Sequence, residues 1–210
     1  AAAAARARRH HPYGALVIGM AVCQLVGWGV TYFAFPVFVQ PMQAELGWTT
    51  TQINGALTAG LVLCDLASIP AGQWFDRRGG REMISLGASF AALMMVAWSR
   101  VESLAGLYLV FAGMGLSQAM ALNNMSFAVV TANVSDFRRG LNMVTLVAGL
   151  APSAALPLAG WLTAAYGWRV ALLALAAVQF LGCAVVAFVV LRGTIGSRTH
   201  ESAEDAARDG

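Results

Sequence analysis

Apolar residues along this chain gather into six long runs, at residues 14–38, 51–75, 83–99, 104–130, 141–165 and 170–191. Each holds at least the roughly 17 residues a helix needs to cross a hydrocarbon layer about 30 Å thick. The connectors between them are short and carry Gly, Pro, Trp and nearly all the charge. Hydrocarbon offers a backbone no water to bond, so each run must satisfy its own N–H and C=O groups as a helix. The pattern predicts an all-α membrane protein with six transmembrane helices over residues 14–191. A basic cytoplasmic tail (1–13) precedes them and a disordered cytoplasmic tail (192–210) follows. That second tail carries Glu201, Glu204, Asp205 and Asp209 and has no apolar run to fold around.

Composition agrees with the pattern. Of 210 residues, 59% are hydrophobic and 11% charged, against about a quarter charged in soluble domains. Lysine is absent, so arginine alone carries the topology signal. With the N-terminus inside, Arg6, Arg8, Arg9, Arg77, Arg78, Arg81, Arg138, Arg139, Arg192 and Arg198 all fall on the cytoplasmic side, and only Arg100 and Arg169 fall outside. The net charge of +3 therefore reports orientation in a plasma membrane of the bacterial inner-membrane type. Nucleic-acid binding would need a basic patch on a folded polar surface, which this sequence lacks. The N-terminal AAAAARARRHH before an apolar run has the outline of a signal peptide, but the run is too long and five more follow. Cys23, Cys64 and Cys183 all lie inside spans, at spacings of neither a disulfide framework nor a zinc site, and read as small buried hydrophobes. No metal and no cofactor is expected.

One connector stands apart. Residues 72–81, GQWFDRRGGR, join spans two and three and place Gly72, Asp76, Arg77, Gly79 and Arg81 in the spacing G-x-x-x-D-R-x-G-x-R. Gly72 removes a side chain where another helix backbone can approach. Asp76 falls at the negative end of its helix, where a carboxylate needs a partner. A partner present in only one conformation would make it a latch. This stretch resembles the signature loop of the major facilitator superfamily, in spacing, residue type and place in span order. The family pattern usually has a second basic residue after Arg81, where this chain has Glu82. Phe137-Arg138-Arg139-Gly140 and Gly167-Trp168-Arg169 resemble family segments flanking span five. Pro41 with Glu45-Leu46-Gly47-Trp48, and Gly27-Trp28-Gly29 in span one, resemble the monocarboxylate and oxalate/formate branch.

The resemblance implies a twelve-span transporter built of two six-span halves related by an axis along the membrane normal, of which this chain is the N-terminal half. It implies a second six-helix half as partner, supplied by a longer protein, a separate chain or a second copy. It also implies that the signature loop braces the cytoplasmic side, that spans one, two, four and five face a central cavity or the other half, and that three and six are peripheral. The solute would be a small organic anion such as a monocarboxylate. Its cationic partner is sought in the other half, because no Arg lies inside any span here.

Asp65 is the one charged residue deep inside a span. At about 100° per residue it shares a stripe with Asn54, Thr58, Ser68 and Gly72. A carboxylate at a helix centre costs at least about 2.5 kcal/mol, so it turns toward protein or a watery cavity. Proton coupling, structural pairing and direct substrate contact are all open to it. Gln24, Trp28 and Tyr32 in span one, Ser117, Gln118 and Asn124 in span four, and Ser153 in span five are candidates for lining the cavity. Span five adds Asn142, Thr145, Gly149 and Gly160, with Pro152 and Pro157 permitting bends. For each polar residue the competing reading is a local helix–helix hydrogen bond. An intramembrane enzyme is disfavoured: His10, His11 and His200 all lie in the tails, and no carboxylates pair within the membrane. The remaining rival is a truncated, non-transporting remnant or membrane subunit.

Overall fold

The structure is a computed structural model that describes the backbone of residues 13–78, 80–121 and 137–185, and the side chains of 17–74, 83–120 and 138–184. Six helical rods follow one another up and down, with no strand among the described residues. Span one is α1 (Tyr13–Trp28), a π-helical turn (Gly29–Phe33) and α2 (Phe35–Leu46). Spans two, three and four are α3 (Thr50–Arg78), α4 (Gly80–Trp98) and α5 (Leu104–Ala121). Span five is α6 (Phe137–Gly149) followed by α7 (Ala151–Tyr166). Span six is α8 (Trp168–Gln179) continued by a π-helical turn (Phe180–Val185). Val17–Leu46, Thr50–Trp74 and Arg138–Tyr166 are long and apolar enough to cross a membrane, and the described parts of the other three rods are apolar but shorter.

Prolines set the irregular turns. Pro36 has no N–H for the Tyr32 carbonyl, and the turn before it widens. There the Ala34 N–H donates to the Gly29 carbonyl, five residues back, at 2.9 Å. The Thr31 hydroxyl donates to the Gly27 carbonyl within the same turn. Pro152 likewise has no N–H for the Ala148 carbonyl, and span five is broken at Leu150 between α6 and α7. The ends are equally local. Gly47 closes α2 in the left-handed region at φ 71°. Thr49 and Gln52 cap α3 reciprocally, side chain to backbone N–H, at 2.9 and 3.3 Å.

Packing then sorts the rods. Span two lies along span four, span three sits between four and six, and span one lies against five and six. Spans two and four meet backbone to backbone: a Cβ on Gly60 would stand 2.5 Å from the Phe111 carbonyl oxygen, and one on Gly115 would run into the Gly60 carbonyl. The end carrying the 1–2, 3–4 and 5–6 connections is packed with rings. Trp98 is fully buried, with Phe35, Phe38 and Phe111 at centroid distances of 5.9, 5.3 and 4.9 Å. The other end is packed with smaller and more flexible side chains, among them Val17, Met20, Ala21, Cys23, Ala88 and Ala184.

An ion pair ties the ring-packed end together. Glu45, in the last turn of span one, accepts from Arg169 Nε at 3.0 Å and Nη2 at 2.9 Å, and from Trp168 Nε1 at 2.5 Å. Arg169 also donates to the carbonyls of Ser99 and Val101, at 2.7 and 3.3 Å. A carboxylate at a helix C-terminus and a cation at a helix N-terminus each oppose the local dipole; facing each other, the two charges compensate. Gly167 makes the corner, at φ 81° and ψ 159°, a region essentially closed to residues with a Cβ.

Gly60→Leu is expected to cost about 1–3 kcal/mol and to lower the thermal unfolding midpoint in detergent. Gly72→Ala adds a Cβ that meets nothing within 4 Å and should leave the midpoint unchanged. Equal midpoints for the two would refute the backbone contact. Glu45→Ala and Arg169→Ala should each cost about 1 kcal/mol, and the double variant less than their sum. Additive losses would show that the two residues act independently.

Candidate functional site

Span two buries one face, Ile53, Ala56, Gly60 and Ala71, against its neighbours and leaves the other open. Asn54, Thr58 and Asp65 are exposed on that open side, and Ser68 and Gly72 are half-buried beside it. The hydroxyls are settled locally: Thr58 donates to the Asn54 carbonyl at 3.0 Å and Ser68 to the Cys64 carbonyl at 2.8 Å. Asp65 has no hydrogen-bond or ion-pair partner among the described residues. A shallow, open and mostly apolar depression lies alongside, lined by Gly55, Thr58, Ala59, Val62, Leu63 and Leu66. Span five presents a similar free side, with Asn142, Thr145, Gly149 and Ser153 exposed. A Cβ on Gly72, Gly149 or Gly160 would meet nothing within 4 Å. The free faces of spans two and five are thus polar along part of their length, among exposed apolar side chains such as Leu66, Ile69, Leu146 and Leu150.

The candidates of spans one and four lie deeper. Gln24, Ser117 and Gln118 are buried, and the Ser117 hydroxyl donates to the Met114 carbonyl at 2.6 Å. Gln118 shares a void of about 10 Å³ with Thr31, Leu57, Gly60, Leu61, Phe111, Met114 and Gly115, room for at most one water. Spans one, two and four therefore converge there. The Gln24 Oε1 is buried with no hydrogen-bond partner among the described residues. Trp28 and Tyr32 are half-buried and meet edge to face at 5.6 Å. The π turn brings in a third ring, Phe33, at 5.5 Å from Tyr32. The i, i+4, i+8 spacing did not include Phe33, because the i→i+5 bonding of the π turn widens the helix after Trp28. Thr31, seven residues after Gln24, shares its face by ordinary α-helical spacing, so that signal was present in the sequence.

The backbone puts Asp76 and Arg77 in the last turn of α3 and Arg81 in the first turn of α4. Their side chains, Gly79 and Asn124 lie outside the described residues. The Glu45–Arg169 pair was also missed in the sequence. Its signal was there: Arg169 is one of two arginines on the arginine-poor side, at a helix end that disfavours it. Chemically, the membrane interior offers amide and hydroxyl groups, three adjoining aromatic rings and one carboxylate. These are means to bind a solute and to carry a proton.

The chain matches the family model of the Major Facilitator Superfamily over residues 19–209. It is 25% identical over 130 residues to the probable L-galactonate transporter of Escherichia coli (strain K12), a match covering 61% of this chain and 28% of that relative.

The buried Gln24 Oε1, without a partner among the described residues, supplies a test of its place in the packing. Removing a buried polar atom that lacks a partner should not destabilise the fold, so Gln24→Leu is expected to leave the unfolding free energy unchanged or raise it by about 1 kcal/mol. A clear loss of stability would mean that Gln24 holds a structural hydrogen bond.

Proposed function

This chain belongs to the Major Facilitator Superfamily, and we propose that it supplies the N-terminal six-span half of a secondary transporter that moves a small organic anion by alternating access. The observation that carries this reading is the uncovered polar face of span two, where Asp65, Thr58 and Asn54 are exposed on an apolar helix. Hydrocarbon against that face would strand a carboxylate at a cost of at least about 2.5 kcal/mol. Water or protein must cover it instead, and a second six-span half with a cavity between provides both. The open glycines Gly72, Gly149 and Gly160 suit close approach by that partner. At the end of span two Asp76, with Arg77, Gly79 and Arg81, braces the two halves on the cytoplasmic side, both termini lying in the cytoplasm.

A monocarboxylate is the proposed solute class, a sugar acid included, since the relative found in Escherichia coli is named for L-galactonate. Trp28, Tyr32, Asn124 and Ser153 supply neutral polar and aromatic contacts, while the buried Gln24, Ser117 and Gln118 pack the helices behind them. The cation that pairs the carboxylate comes from the other half. Asp65 takes up and releases the coupled proton as access alternates.

The test uses the chain joined to a second half in proteoliposomes. Uptake of a labelled sugar acid should respond to an inward proton gradient, and the matching neutral polyol should not compete. Asp65→Asn should abolish gradient-driven uptake while sparing solute exchange. An unchanged pH response in that variant would remove Asp65 from coupling.

A further inference from the structure

Cys23 of span one and Cys183 of span six face each other across the contact between their helices. The Cys183 thiol reaches the Cys23 carbonyl at 3.2 Å, and the Cys23 thiol reaches the carbonyls of Cys183 and Gly182 at 3.6 and 3.7 Å. Each sulfur thus bonds the backbone of the other residue, so the two side chains cross in one narrow gap. Two features of span six bring it that close. Gly182 has no side chain where a Cβ would stand 3.1 Å from a Val26 methyl. The π turn Phe180–Val185 carries Cys183 inward, where both cysteines are only 3% exposed. Both thiols are free. Yet the site is shallow: Val22, Phe180 and Leu181, their chain neighbours, are exposed on the apolar outside of the bundle. One layer of side chains separates the thiols from anything dissolved in the bilayer.

We propose that Cys23 and Cys183 form a two-thiol site for a neutral trivalent arsenical. The donor set selects this class. Zinc in a closed site takes four ligands, commonly with thiolates among them, and no group of three or more His, Cys, Asp and Glu side chains gathers among the described residues. A disulfide would need an oxidant. An organic arsenoxide needs two adjacent thiols and leaves the site uncharged. Its arsenic–oxygen double bond is exchanged for two arsenic–sulfur bonds, both thiol protons leave with the oxygen as water, and arsenic stays trivalent. Bridging joins span one to span six and is independent of whether the protein transports anything.

The third thiol, Cys64 on span two, is the internal comparison. The full chain in lipid vesicles is treated with phenylarsine oxide and read by intact mass and by mapping of the linked peptides. One phenylarsenic per chain is expected, joining the Cys23 and Cys183 segments. It should resist excess monothiol and be released by a 1,2-dithiol. Retention against monothiol should fall about 100-fold in Cys23→Ala and in Cys183→Ala, and stay unchanged in Cys64→Ala. Arsenic mapped to Cys64, no uptake of arsenic, or monothiol-resistant labelling in either single variant would overturn the site. The peptide map of the unaltered chain decides the matter even if a variant fails to fold.

Discussion

Spans two and four touch backbone to backbone at Gly60 and Gly115, and the rest of the bundle is arranged around what such a contact requires. Between helices in hydrocarbon there is no hydrophobic drive, because lipid tails are as apolar as leucine; close packing has to hold them. Small residues therefore mark the places where rods meet. A Cβ on Gly29 would press Ala155 in span five at 3.2 Å, and Gly182 admits Val26. The same reasoning runs in reverse for Gly72, Gly149 and Gly160, which face open space. Glycine without a neighbour among the described residues leaves room there for the close approach of a further helix.

The two ends of the bundle are held by different means. At one, Trp98 and three phenylalanines fill the core, and the Glu45–Arg169 pair binds span one, the 3–4 connection and span six into one unit. Both charges sit at helix ends that would repel them singly, so each is tolerated because of the other. At the opposite end alanine, methionine and cysteine make the core, and stability there depends on how closely the helices approach. The connection that resembles the family's signature loop belongs to this second end. In the proposed transporter, it is where contacts with a second half form and release.

The polar groups divide along the same lines. Asn54, Thr58 and Asp65 of span two and Asn142, Thr145 and Ser153 of span five stay on free faces, whereas Gln24, Ser117 and Gln118 turn inward among neighbouring helices. Asp65 combines an ionisable group with an exposed position on an apolar rod, which is why it anchors the functional proposal. Its stripe with Thr58 and Asn54 was legible from a spacing of about 3.6 residues per turn. The aromatic cluster in span one was legible only in part, because Pro36 opens a π turn and Phe33 joins Trp28 and Tyr32 outside that period.

By itself the sequence determined the class: an all-α membrane protein, the six apolar runs, the prolines that bend span five, and the loop whose residue types and spacing point to its family. These follow from hydropathy, chain geometry and local chemistry, which belong to segments read one at a time. Tertiary structure alone decided which faces are covered. Gly60 and Gly115, Cys23 and Cys183, and Glu45 and Arg169 lie 55, 160 and 124 residues apart, and no periodicity relates them. Each pair exists because two helices lie side by side. That adjacency is fixed by close packing over whole helix faces, which a reading of one span at a time does not contain.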